Sequence, residues 1–103
     1  METSIIWTNR ALDTLDDIFE FYKEKSENSA TKIVNRLYHS AKTLKTFPNA
    51  GVIEPLLDGF PVCFRSFVVE KHFKLIYYVE GDCVYITEIW DTRQDPDRLM
   101  HYL

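Results

Sequence analysis

The chain has 103 residues, of which 46% are hydrophobic and 27% charged, with a net charge of −4. That length holds one core and one domain, spanning 1–103, and the composition is that of a folded globular protein, which excludes a disordered tail or a multidomain enzyme. The acidic balance also argues against a surface that grips many phosphates, because such affinity comes from clustered cations releasing counterions.

The charge is unevenly spread: residues 1–51 carry seven acidic and seven basic side chains, and residues 52–103 carry nine and five. No run approaches the ~20 apolar residues needed to span a bilayer. The opening Met1-Glu2-Thr3-Ser4-Ile5-Ile6-Trp7 has no basic stretch followed by a long apolar one, so no secretory signal and a cytoplasmic location are expected, with no membrane partner. Cys63 and Cys83 each sit in an apolar run, which predicts two small buried thiols.

Taken in chain order, Ile5-Ile6-Trp7 is too short to stand alone and is expected to add an edge or neighbouring strand. Thr8 or Asn9 then caps a helix over about 9–26. Leu12, Leu15, Ile18, Phe19 and Tyr22 recur at the three- and four-residue steps of one helix face. Asp13, Asp16 and Asp17 are expected in its first turns, where carboxylates suit the positive end of the dipole.

Ser26–Ser29 breaks that pattern, and Asn28 or Ser29 caps a second helix. Its stripe is Ala30, Ile33, Val34, Leu37, Tyr38, Ala41 and Leu44, and it ends near Phe47-Pro48. The short break predicts an antiparallel helical hairpin.

The period then changes. Pro61 opens Val62–Val69, Glu70-Lys71 offers a turn, Phe73–Val79 follows, and Glu80-Gly81-Asp82 leads into Cys83–Trp90. These β-branched and aromatic runs predict a three-stranded antiparallel meander. Asp95-Pro96 reads as a cap with proline at the first helical position, which predicts a short terminal helix over Asp97–Tyr102. The fold class is therefore α+β.

Three stretches carry a family resemblance: Trp7-Thr8-Asn9-Arg10-Ala11-Leu12-Asp13-Thr14-Leu15, then Phe64-Arg65-Ser66-Phe67 with Phe73-Lys74-Leu75-Ile76-Tyr77-Tyr78, then Ile89-Trp90-Asp91-Thr92-Arg93-Gln94-Asp95-Pro96. In this order and spacing the chain resembles the RelE/ParE superfamily, the toxins of bacterial type II toxin–antitoxin (plasmid-stabilisation) systems. The resemblance implies a helical hairpin packed on one face of a curved sheet. It also implies a small antitoxin partner that neutralises the toxin stoichiometrically, a homo-oligomer within that complex, and growth arrest when the toxin acts alone.

Two activities exist among such toxins. The RelE-like branch resembles ribosome-dependent, metal-independent messenger RNA endonucleases, which need cations on a crowded phosphorane together with an acid and a base. The positions matching that cationic site are Arg65, Lys74 and Arg93, on or beside adjacent predicted strands and expected to converge on one sheet face. Arginine stays protonated, so Arg65 and Arg93 only stabilise charge.

His72 and Asp91 are the candidate acid or base, and His101 and Tyr102 stand two or three residues past the aligned position, which holds Leu99. Each site residue has a structural alternative: Arg93 pairing with Asp91 or Asp95, Lys74 as a solvated strand residue, Arg65 bridging to a carboxylate on the next strand, and His72 as a solvated turn residue.

The ParE-like branch resembles poisons of DNA gyrase and has no catalytic set. An acidic chain without the usual acid–base residue fits it better. A non-catalytic binding module, or an inactive toxin homologue, is the reading from another class. No cofactor is expected: His39, His72 and His101 are too scattered for a metal, and neither cysteine shows a neighbouring base.

Overall fold

The computed structural model describes residues 3–94 and Leu99. Ser4–Trp7 forms β1, which leads directly into α1, Asn9–Lys23. Thr8 is the N-cap, its hydroxyl accepting the Ala11 amide at 3.3 Å and donating to the Ile86 carbonyl at 3.0 Å. One side chain thus closes the helix start and ties it to the sheet. The first turn carries no acidic residue; Asp13, Asp16 and Asp17 lie further along, exposed to solvent, so the expected dipole contribution is absent.

α1 stops at Lys23, three residues before the expected end, because Ser26 caps the next helix, accepting the Ser29 amide at 3.2 Å. α2 runs Glu27–Thr46 and buries Ala30, Leu37, Ala41 and Leu44.

Two short elements escaped the sequence reading. Val52–Ile53 forms β2, and Pro55–Leu57 is a single 3-10 turn capped by Glu54, whose carboxylate accepts the Leu56 amide. The meander follows as β3 Arg65–Val69, β4 Phe73–Glu80 and β5 Cys83–Asp91. Residues 61–64 form no strand, so β3 begins at Arg65 rather than Val62. Neither cysteine is fully buried: Cys63, in that irregular stretch, is exposed, and Cys83, at the very start of β5, is half-buried. The expected terminal helix over Asp97–Tyr102 lies outside the described residues, apart from Leu99.

The sheet order is β1-β5-β4-β3-β2. β1 runs parallel to β5 and the other pairs are antiparallel. Strand alternation divides the core in two. Phe73, Leu75 and Tyr77 of β4, with Val84, Ile86 and Ile89 of β5, face Ala11, Leu15, Leu37, Ala41 and Leu44 of the hairpin. Ile76 and Trp90 point the other way, where Leu57, Phe64 and Leu99 cover them. Among the described residues no helix is long and apolar enough to cross a membrane.

Tyr77 fastens the 48–51 turn to the main core. Its fully buried ring carries a hydroxyl that donates to the Pro48 carbonyl at 2.7 Å and accepts the Gly51 amide at 2.9 Å; burial pushes the phenol's pKa up. A Cβ at Gly51 would stand 2.7 Å from the Ser66 carbonyl oxygen and 2.8 Å from the Tyr77 ring, so glycine is required here by close approach. Tyr77→Phe is expected to lower unfolding free energy by about 1–3 kcal/mol, the cost of leaving two buried backbone groups without their partner. Urea denaturation reads that loss directly.

Candidate functional site

Arg65, Lys74 and Arg93 do not come together. Arg65 stands opposite Tyr77 in the β3–β4 ladder, on the face that carries the helices. Its Nη1 donates to the Gly51 carbonyl at 2.8 Å, so it bonds a backbone oxygen and not the carboxylate expected on the next strand.

Lys74 stands between Val68 and Trp90 on the opposite face. There its Nζ is ion-paired and hydrogen-bonded to Glu54, whose side chain is 2% exposed. The lysine is therefore not a solvated strand residue; it neutralises a buried carboxylate.

Arg93 lies past β5 and grips Asp91 with two bonds, Nε to Oδ1 at 3.0 Å and Nη2 to Oδ2 at 2.7 Å. Tyr22 Oη stands 3.5 Å from the same Nη2. Asp91 is opposite Phe73 and Arg65 opposite Tyr77. Four residues along and two strands across separate their backbones by roughly 16 Å, at ~3.3 Å per residue and ~4.8 Å per strand.

The candidate acid–base residues are engaged or displaced. The Arg93 hydrogen bond holds the Asp91 carboxyl below its ordinary pKa, against an opposing contribution from partial burial; the same contact pushes the guanidinium pKa further up. A carboxylate held in that state is a poor proton acceptor at neutral pH. His72 sits in the exposed β3–β4 loop, where its carbonyl accepts the Thr92 amide at 2.7 Å. His101 and Tyr102 lie outside the described residues.

In Arg93→Ala, an NMR titration should show the Asp91 carboxyl returning towards about 3.9. The sign follows from the depressed value: the pair's stabilisation is present above the unfolded-state pKa and is lost as pH falls through the folded one. Removing Arg93 should therefore flatten the acid limb of the stability curve.

A cleft of about 330 Å³, lined by both apolar and charged side chains, opens between α1 and the end of β5. Its base is Glu88, which is 2% exposed. The Glu88 carboxylate accepts Arg10 Nε at 2.9 Å, the Thr14 hydroxyl, and the Ile89 amide at 2.9 Å. A β-bulge places it there: between Ile76 and Tyr77 of β4, β5 inserts one extra residue, so Glu88 and Ile89 both turn towards the hairpin. Phe21, 63% exposed, lies at the lip.

Sequence reasoning passed over Glu88, Arg10 and Thr14 as site residues. The signal was present, because Val84-x-Ile86-x-Glu88 puts a carboxylate at a position that alternation makes apolar, and Arg10 and Thr14 are one helical turn apart. Both carboxylates of the cleft at the sheet end, Glu88 and Asp91, are each held by an arginine.

A helical hairpin laid on one face of a mostly antiparallel sheet is the architecture that the resemblance to the RelE/ParE toxin superfamily implies. Residues 5–96 match the model of the ParE toxin of the type II toxin–antitoxin system parDE. The chain belongs to the ParE toxin family, and is thereby the toxin component of a type II pair whose cognate partner is an antitoxin.

A chain of the chromosomal ParDE toxin–antitoxin system from P. aeruginosa superposes with a TM-score of 0.72 and 26% identity, covering 86% of this chain and 95% of that one. A YoeB/ParE toxin from Agrobacterium tumefaciens shares the fold, with a TM-score of 0.58 and 20% identity over 85% of this chain and 96% of that one. Comparison with curated protein sequences gave no match.

Proposed function

We propose that this toxin arrests bacterial growth in the cytoplasm by binding DNA gyrase and trapping its protein–DNA intermediate, without cutting RNA itself. The observation that carries this reading is the dispersal of the three cations: Arg65 is on one sheet face, Lys74 on the other, and Arg93 is clamped to Asp91. A phosphorane formed at any one of them would lack the other two, and stabilisation of that charge requires donors converging on one point. The ParE family match supports the same branch. The antitoxin holds the toxin inert until it is lost.

Induction of the chain in growing bacteria tests this. Growth arrest is expected, together with linearised plasmid and intact transcripts by primer extension, and co-expression of the antitoxin should abolish both effects. Arg65→Ala and Arg93→Ala should still arrest growth. Cuts in messenger RNA at ribosomal positions, lost in both variants, would establish the nuclease instead. Normal growth would leave a binding module or inactive homologue.

A further inference from the structure

The outward face of α1 carries charge that the fold does not use. Asp13, Asp17, Glu20 and Glu24 follow one another at steps of four, three and four residues, so their carboxylates line one exposed side of the helix. Among the described residues none of the four is in an ion pair. Lys23, beside Glu24, lies over the Phe19 ring instead, 5.9 Å from its centroid. The arrangement costs stability. Like charges four residues apart repel, as Asp13 repels Asp17 and Glu20 repels Glu24. No acidic residue falls in the first turn, where the helix dipole favours one, and Glu20 and Glu24 stand at the end where the dipole disfavours them.

Phe21 lies among these carboxylates with 63% of its surface exposed. With Asp17 it borders the cleft at the end of β5 on one side, and on the other a shallow hollow that Glu20 and Glu24 also line. The result is an aromatic ridge inside an acidic rim. Interfaces are anchored by such rings, and an exposed ring set in a charged border marks a contact surface.

We infer that this face of α1 is the surface that contacts gyrase. Phe21 enters an apolar socket, and the carboxylates of Asp13, Asp17, Glu20 and Glu24 meet a basic protein surface around it. An enzyme that grips DNA carries basic surface along the DNA path, because phosphate affinity comes from clustered cations. The DNA itself fits less well: a chain of net charge −4 that presents carboxylates is repelled by phosphates. The inference rests on the proposed action on gyrase and says which surface carries it.

Plasmid linearisation by gyrase, titrated with the purified toxin, tests the assignment. Phe21→Ala should raise the toxin concentration for half-maximal linearisation by about tenfold or more. Asp17→Lys combined with Glu20→Lys should raise it by about 10–100-fold at low salt, with the deficit shrinking as salt rises. Both variants should keep the native urea midpoint or exceed it, since the side chains are exposed and the charge change relieves repulsion. Full potency in either variant, with the native chain active, overturns the assignment and leaves the proposed activity standing. A loss of potency that tracks a loss of stability overturns it equally. Full potency combined with escape from the antitoxin gives this face to the antitoxin and also overturns it. A native chain that never linearises plasmid overturns the proposed activity, and the surface assignment with it.

Discussion

Lys74→Ala is expected to lower the unfolding free energy by about 3–5 kcal/mol, because it leaves the buried Glu54 carboxylate without its counter-charge. Glu54 is 2% exposed and Lys74 18%, so water cannot take the lysine's place without opening the Leu57–Phe64–Trp90 cluster that covers this face. Removing both charges is a different experiment. Glu54→Leu with Lys74→Met keeps the volume, leaves no charge behind, and should unfold within about 1–2 kcal/mol of the native chain or above it.

The pair of variants separates a structural lysine from a catalytic one. If Lys74 neutralises Glu54 and nothing more, growth arrest should fail in Lys74→Ala as the protein unfolds, and return in the double variant. A catalytic lysine would be rescued in stability and stay inactive. Urea midpoints and growth curves on the same variants give both readings.

Glu88→Leu should cost about 2–4 kcal/mol. The carboxylate serves Arg10, Thr14 and the Ile89 amide together, and hydrogen bonds to a charged group are each worth about 1.5–3 kcal/mol where desolvated. Arg10 is about half exposed, which discounts its share, so the total falls below a simple sum. The buried Ile89 amide, left without an acceptor at the bulge, is the part water cannot replace. A double-mutant cycle between Thr14→Val and Glu88→Leu should show coupling of about 0.5–1.5 kcal/mol, because either change removes the one hydrogen bond the two groups share. Additive losses would mean the bulge, and not the bond, sets the stability.

The elements were readable because their periods are pure. Leu37, Ala41 and Leu44 mark the buried face of α2, and Phe73, Leu75 and Tyr77 alternate along β4. The short β2 and the Pro55–Leu57 turn left no periodic trace, since two or three residues are fewer than one repeat of either pattern.

The failure of Arg65 and Lys74 to share a face turns on one residue of register. A two-residue turn at Glu70-Lys71 would pair Val69 with His72 and Arg65 with Ile76, placing Arg65 on the side of Lys74. The loop instead takes three residues, with Glu70 in the left-handed region at φ 54°, so Val69 pairs with Phe73 and Arg65 with Tyr77. Glycine usually occupies such a position, and the glutamate here gave no warning of it. The Glu54–Lys74 pair was hidden for a related reason: Glu54 reaches Lys74 only because the irregular 54–64 stretch folds over the sheet.

The most direct measurement mixes the purified toxin with DNA gyrase, ATP and supercoiled plasmid, followed by detergent and protease. Linear plasmid rising with toxin concentration, and suppressed by an equimolar amount of antitoxin, is the expected result. Unbroken plasmid at every toxin concentration, alongside cleavage of ribosome-bound messenger RNA by the same preparation, would contradict the account.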